Sequence, residues 1–210
     1  MESLEFFSLS NCFNFKKIPE IQGNMKCLDT LLLGNTAIKE LLDNIGSLEA
    51  LQTLSVNGCL NLEMFLEIKG IWGIYDIFFA GKIAIKELLC SIGHLIGPNN
   101  LNLENYKNLS GLSSSIYGLK YLKRLFLNGC SNVEAFLEIM FDMEHLSSFY
   151  LCGMAMTELP SSIERLKNLN LLELSNCENL VTLPNSISNL TRLRTLRVRN
   201  CSKLHKLPTI

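Results

Sequence analysis

The apolar positions of this chain recur with a tight period. The last clear unit reads Leu193, Leu196, Val198, Cys201, Leu204, Leu207 and Pro208, the pattern L-x-x-L-x-L-x-x-C-x-x-L-x-x-L-P. The unit before it fills every slot with Leu169, Leu172, Leu174, Cys177, Leu180, Leu183 and Pro184. The first unit fits too, with Leu4, Phe7, Leu9, Cys12, Phe15, Ile18 and Pro19. The opening slot recurs at Leu4, Leu28, Leu51, Ile74, Pro98, Leu122, Leu146, Leu169 and Leu193, in steps of 23 or 24 residues across the 210. A period held this closely outranks any single-motif reading.

Within each unit, L-x-L has period two, so its leucines point to one side of a strand and the x residue to the other. One such strand cannot bury its apolar side alone. Stacked copies make a parallel sheet over a continuous core. The pattern therefore predicts an α/β leucine-rich-repeat solenoid: a curved arc with a parallel concave sheet of about nine short strands and short helices or turns on the convex side. Residues 1–210 are read as a single domain. The run Pro160-Ser161-Ser162-Ile163, followed by Leu166 and Leu169, predicts a turn and a short helical return, with the serine after proline as its cap.

Units differ in the slot after the strand. Cysteine fills it at 12, 59, 130, 177 and 201. Thr36 and Met154 fill it in a shorter-spaced variant, Thr36-Ala37-Ile38-Lys39-Glu40-Leu41 and Met154-Ala155-Met156-Thr157-Glu158-Leu159. The segment Ala84 to Leu88 copies Ala37 to Leu41, with one extra residue placed near Lys82. The block Asn57-Gly58-Cys59 returns as Asn128-Gly129-Cys130, about three repeats later, as a duplication would leave it.

Composition narrows the function classes. A net charge of −1 does not point to nucleic acid. The start, Met1-Glu2-Ser3-Leu4-Glu5, has no basic and apolar leader pattern. The most apolar stretch, Gly70 to Gly81, is interrupted by Asp76 and is too short to span a bilayer. Five of the eight cysteines share one slot, where they are read as small buried residues touching the backbone of the next turn. Unpaired, regularly spaced thiols suit a reducing compartment. The N-x-S/T sequons at Asn108, Asn189 and Asn200 are read as by-products of an Asn- and Ser-rich repeat. No C-x-x-C pair or His/Cys cluster suggests a metal. His94, His145 and His205 lie in different repeats, and no nucleophile elbow or metal-binding helix appears. The expectation is a binding surface, not an enzyme, with no cofactor and no small-molecule substrate.

The middle residue of L-x-L faces the open concave side. Down the stack that column reads Ser8, Leu32, Ser55, Phe78, Asn102, Phe126, Tyr150, Glu173 and Arg197. Phe78, Phe126 and Tyr150, with Asn102 among them, make an aromatic strip suited to a protein partner. The last unit adds a basic cluster of Arg192, Arg194, Arg197, Arg199, Lys203 and Lys206, in which Arg197 and Arg199 are expected to face the concave side.

The Cys-x-x-Leu-x-x-Leu-Pro units, alternating with Thr36-to-Leu41-type units and followed by Pro-Ser-Ser-Ile or Pro-Asn-Ser-Ile, resemble the C-terminal repeats of plant TIR-type nucleotide-binding leucine-rich-repeat disease-resistance proteins. The block Leu159 to Leu207 carries the resemblance most specifically. It implies a role in defence, cytoplasmic or nucleo-cytoplasmic location, autoinhibition, and a protein partner: a pathogen effector, a guarded host protein or the receptor's own nucleotide-binding domain. Departures are plain. The family proline is replaced at Leu42, Leu66, Leu89, Ser113 and Leu137, Tyr106 stands in the cysteine slot, and Pro98 takes a leucine slot. No TIR domain or phosphate-binding loop is present; Gly81-Lys82 runs into Ile83. The alternatives are a general intracellular adaptor or scaffold, a truncated resistance-gene fragment, and a secreted inhibitor-type repeat protein.

Overall fold

The first leucine of each L-x-L segment is the central, inward-turned residue of a three-residue strand, and the x residue ends that strand on the open face. The computed structural model describes residues 2–18, 25–41, 45, 48–63, 77–82, 98–106, 114–134, 136 and 138–208. Its strands are β1 (Phe6–Ser8), β2 (Thr30–Leu32), β3 (Thr53–Ser55), β4 (Ile77–Phe79), β5 (Asn100–Asn102), β6 (Arg124–Phe126), β7 (Ser148–Tyr150), β8 (Leu171–Glu173) and β9 (Thr195–Arg197). All pair in parallel, in chain order, as one sheet. The central residues Leu31, Leu54, Phe78, Leu101, Leu125, Phe149 and Leu172 are buried in one core that runs the length of the array. The predicted solenoid is what the chain forms.

The opening slot assigned to Ile74 lies outside the described residues, as do Leu42, Leu66, Leu89, Ser113, Leu137, Ala84 to Leu88, His94 and Asn108. The strand that follows Ile74 nevertheless corrects the register. Phe78 pairs with Leu54 and Leu101, and Phe79 with Ser55 and Asn102. The strand in the fourth repeat thus starts one residue later than the leucine count places it. The extra residue precedes Ile77 and does not lie near Lys82.

A column of left-handed residues closes each strand, three positions after its last residue: Asn11, Asn35, Gly58, Lys82, Asn105, Gly129, Gly153, Asn176 and Asn200, with φ between 55° and 75°. Asparagine and glycine tolerate this conformation. Asparagines adjacent in the column also bond to each other: Asn35 Nδ2 donates to Asn11 Oδ1, and Asn200 Nδ2 to Asn176 Oδ1, both at 2.9 Å. Where glycine follows asparagine the reason is steric. A Cβ on Gly58 would sit 2.1 Å from Asn35 Oδ1.

The cysteine slot forms a second column. The thiols of Cys59, Cys130, Cys177 and Cys201 donate to the carbonyls of Leu33, Leu103, Leu151 and Leu174 in the preceding repeat, at 3.1 to 3.2 Å. Cys59, Cys130 and Cys177 are buried small residues touching backbone, as expected, but of the preceding turn and not the next; Cys201 is half-buried and Cys12, in the first repeat, is exposed. Burial pushes the Cys130 and Cys177 thiols up to about 11, so they stay protonated and serve as donors. Tyr106 fills the same slot fully buried, and its hydroxyl finds no hydrogen-bond partner. Pro98, in its leucine slot, is also buried.

On the convex side, 3-10 helices span Ser114–Gly118, Ser161–Arg165 and Asn185–Asn189. The proline before each of the latter two enters at φ −65° and −68° and is itself the N-cap, without a side-chain capping bond. The predicted serine cap is therefore not formed. Ser162 Oγ instead accepts from the backbone N–H of Ile139 at 2.7 Å, tying one repeat to the one before.

Candidate protein-docking face

The concave face is built by the first and third residues of every strand, because the period of two sends the middle residue inward. The third residues form the central column: Ser8, Leu32, Ser55, Phe79, Asn102, Phe126, Tyr150, Glu173 and Arg197. Phe126 and Tyr150 stack face to face, ring centroids 4.5 Å apart and planes 8° from parallel. Both rings remain partly open to solvent.

Phe78 does not belong to this strip. It is 4% exposed and sits in the core, and its neighbour Phe79 occupies the concave position. The cause is the one-residue offset, since a slip of one exchanges the two faces of a strand. The left-handed residue three positions beyond the strand is Lys82, which fixes Phe79 as the strand's last residue. The signal that fixes the register is the dipeptide Gly34-Asn35, which Gly81-Lys82 repeats. Gly81 is needed for close approach, because a Cβ there would lie 2.4 Å from the Glu104 carbonyl oxygen.

Asn102 keeps its place between Phe79 and Phe126 and is held there. Its Oδ1 accepts from the Glu104 N–H at 2.9 Å, and its Nδ2 donates to Glu104 Oε2 at 3.2 Å. The other Glu104 oxygen accepts from Asn128 Nδ2 at 2.6 Å, and Asn128 Oδ1 accepts from the Cys152 N–H at 2.8 Å. This polar rail runs beside the aromatic strip through three repeats. Sequence reasoning passed over Glu104 and Asn128, which stand two residues beyond the column and share its outward alternation.

The basic cluster divides. Arg197 turns to Glu173, Nη1 to Oε2 at 3.1 Å, while Ser175 Oγ donates to the other carboxylate oxygen at 2.5 Å. Burial works to raise Glu173, but the Ser175 and Arg197 hydrogen bonds prevail and hold it below the ordinary carboxylate value. Arg199 is exposed two residues on, on the same side. Lys203 bonds Asn179 Oδ1 at 2.7 Å, and Lys206 pairs through its backbone with Thr182 on a separate ladder. Arg192 lines a groove of about 840 Å³ on the flank, shared with Asp142, Glu164, Arg165 and Lys167. The six basic residues thus do not make one patch.

His145 stacks on Tyr121 at 5.9 Å, and His205 contacts the Lys203 carbonyl. Among the described residues no group of His, Cys, Asp or Glu is placed to hold a metal ion, and no helix is long and apolar enough to cross a membrane. Of the sequons, Asn189 donates its Nδ2 to Glu164 Oε2 at 2.6 Å, and Asn200 uses its own in the asparagine pair.

Residues 118–208 match the family model for leucine-rich repeats of RPS4B-like disease resistance proteins. The chain is a leucine-rich-repeat solenoid whose residues 118–208 are similar to the repeats of plant disease resistance proteins. The relatives include the disease resistance-like protein DSC1 of Arabidopsis thaliana, 40% identical over 39% of this chain. TMV resistance protein N of Nicotiana glutinosa is 27% identical over 82% of it. Disease resistance protein RPS4B of Arabidopsis thaliana is 27% identical over 86%. The chain spans 7%, 11% and 13% of their respective lengths. In three dimensions it resembles the leucine-rich repeat domain of the type III effector XopL, with a TM-score of 0.64, 22% identity, and coverage of 99% of this chain and 64% of that one. A leucine-rich-repeat protein of Leptospira interrogans follows at 0.61 and 24%, covering 93% and 48%. These two likenesses concern the fold.

Proposed function

We propose that this leucine-rich-repeat protein-interaction module serves recognition and autoinhibition in plant intracellular immunity. It binds its partner on the concave face of repeats four to seven. The partner is a pathogen effector, a guarded host protein or the nucleotide-binding domain of a receptor. The observation that carries this reading is the Phe126–Tyr150 stack, a flat apolar pair held open on the inner face. Phe79 and the fixed amide of Asn102 extend it. Rigid aromatics on a preorganised backbone lose little freedom on binding and make typical hot spots. The row of protonated thiols bonded to carbonyls supports a reducing, cytoplasmic or nucleo-cytoplasmic setting.

The test compares capture from leaf extracts, healthy and infected, on immobilised wild-type chain and on Phe126→Ala/Tyr150→Ala. A partner retained by the first and lost from the second is expected. Identical retention on both removes the aromatic strip as the binding site.

A further inference from the structure

The concave face is not electrically neutral, and its charges are unevenly placed. Arg124 stands two residues before Phe126 on β6, so the alternation puts both on the same face. Arg197 ends the column that contains Tyr150, and Arg199 follows it two residues on. Lys123 and Arg194, both exposed, immediately precede β6 and β9. The acids on this side of repeats five to nine are Glu104 and Glu173, and each has both carboxylate oxygens engaged by protein donors. Among the described residues, Arg197 alone of the five cations is ion-paired. Cations therefore adjoin the aromatic stack on two edges, Arg124 along β6 and Arg197 with Arg199 across the sheet, and Glu104 and Glu173 are already occupied.

Resting on the reading of this face as a docking surface, we propose that the occupant is an acidic protein segment with an aromatic or aliphatic anchor. The anchor packs on the Phe126–Tyr150 stack. One carboxylate meets Arg124 along β6, and another meets the Arg197–Arg199 pair across the sheet. The geometry sets the spacing. Strands lie about 4.8 Å apart, so β7 to β9 is about 10 Å, and an extended segment advances about 3.3 Å per residue. An acid roughly three residues from the anchor thus reaches Arg197 or Arg199. Arg197 already holds Glu173, so Arg199 is the cation free to take the incoming carboxylate. Such contacts steer association and weaken with salt.

The test pans a phage-displayed random dodecapeptide library on the chain. Peptides that emerge are synthesised and their affinities measured by fluorescence anisotropy, at low salt and at about 0.5 M salt. Selected sequences should combine aromatic or aliphatic residues with several Asp or Glu. Their binding should fall about tenfold in Arg124→Glu/Arg199→Glu and also in high salt. Circular dichroism of that variant should match wild type, because both side chains are exposed. Neutral or basic selected peptides overturn the proposal. So does undiminished binding by the charge-reversed variant. If Phe126→Ala/Tyr150→Ala abolishes binding while charge reversal leaves it intact, the docking face stands and the acidic occupant falls. If neither variant matters, both fall.

Discussion

Phe78 and Phe79 are chemically identical neighbours with opposite assignments, so replacing each by alanine tests the register directly. Phe78 is 4% exposed and belongs to the continuous core. A buried aromatic removes about 150–250 Å² from water. At about 25 cal/mol per Å² that is roughly 4–6 kcal/mol, reduced by what the remaining Cβ still buries. Measured Phe→Ala changes in cores run about 3–5 kcal/mol, so about 4 is expected for Phe78→Ala. Phe79 lies on the sheet's open face and is only partly covered. Phe79→Ala should cost about 1 kcal/mol or less. For a chain of this size the first corresponds to a fall in melting temperature of about 10 °C and the second to about 3 °C. Repeats couple to their nearest neighbours, so the loss should appear first as weakened amide protection in β3 to β5. Thermal melts by circular dichroism, with hydrogen exchange on the same variants, make the measurement. A larger loss from Phe79→Ala than from Phe78→Ala would refute the register and remove Phe79 from the docking face.

Tyr106→Phe removes a buried hydroxyl without a partner while keeping the ring, and should raise stability by about 1 kcal/mol in a urea titration. A loss of that size would mean the hydroxyl is satisfied. Lys82 carries φ 56° in a column otherwise made of asparagine and glycine, so Lys82→Gly should stabilise by about 1 kcal/mol; a lower melting temperature would contradict the strain argument. Stability should fall with alkaline pH, through a window set by the buried thiols. Cys130 and Cys177 rise from an ordinary value of 9.0 to about 11, so below 9 nothing is lost, and between 9 and 11 the unfolded chain ionises while the folded one keeps its protons. Urea midpoints that stay level across that window would count against this. Finally, a thiol reagent followed by mass spectrometry should label the exposed Cys12 and Cys27 at once, and Cys59, Cys130 and Cys177 only on unfolding.

Most of the fold was legible because one physical constraint repeats nine times. A strand of three residues must bury its centre, and leucine spacing reports that burial wherever it is regular. The concave positions followed from alternation alone at Asn102, Phe126 and Tyr150. The fourth repeat was illegible to the same method for a definable reason. Ile77, Phe78 and Phe79 are all apolar, so the strand supplies a core residue in either register and hydropathy cannot choose between them. Only the turn chemistry chooses, through Gly81-Lys82 against Gly34-Asn35. The electrostatic pairing was also hidden. Arg197 has no acid near it in sequence; its partner Glu173 lies 24 residues earlier and becomes adjacent only when the strands stack. The serine cap failed because proline already fixes the helix entry and leaves Ser162 for a bond to the preceding repeat.

The ambiguity at β4 bears on how such a surface changes. In a solenoid the face presented to a partner depends on loop length as much as on residue identity, since one residue gained or lost before a strand exchanges its inner and outer side chains. Most strands here would not survive that exchange. In β8, a slip by one would send Leu172 outward and bring either Leu171 or Glu173 into the core, and the second choice buries a carboxylate whose partners Ser175 and Arg197 lie outside. At β4 the exchange costs little, because a phenylalanine replaces a phenylalanine inside and another takes its place on the concave face. The aromatic strip is thus anchored by the rigid β6–β7 stack and ends at a strand whose sequence tolerates re-registration. That is where a change in loop length can reshape the docking surface without emptying the core.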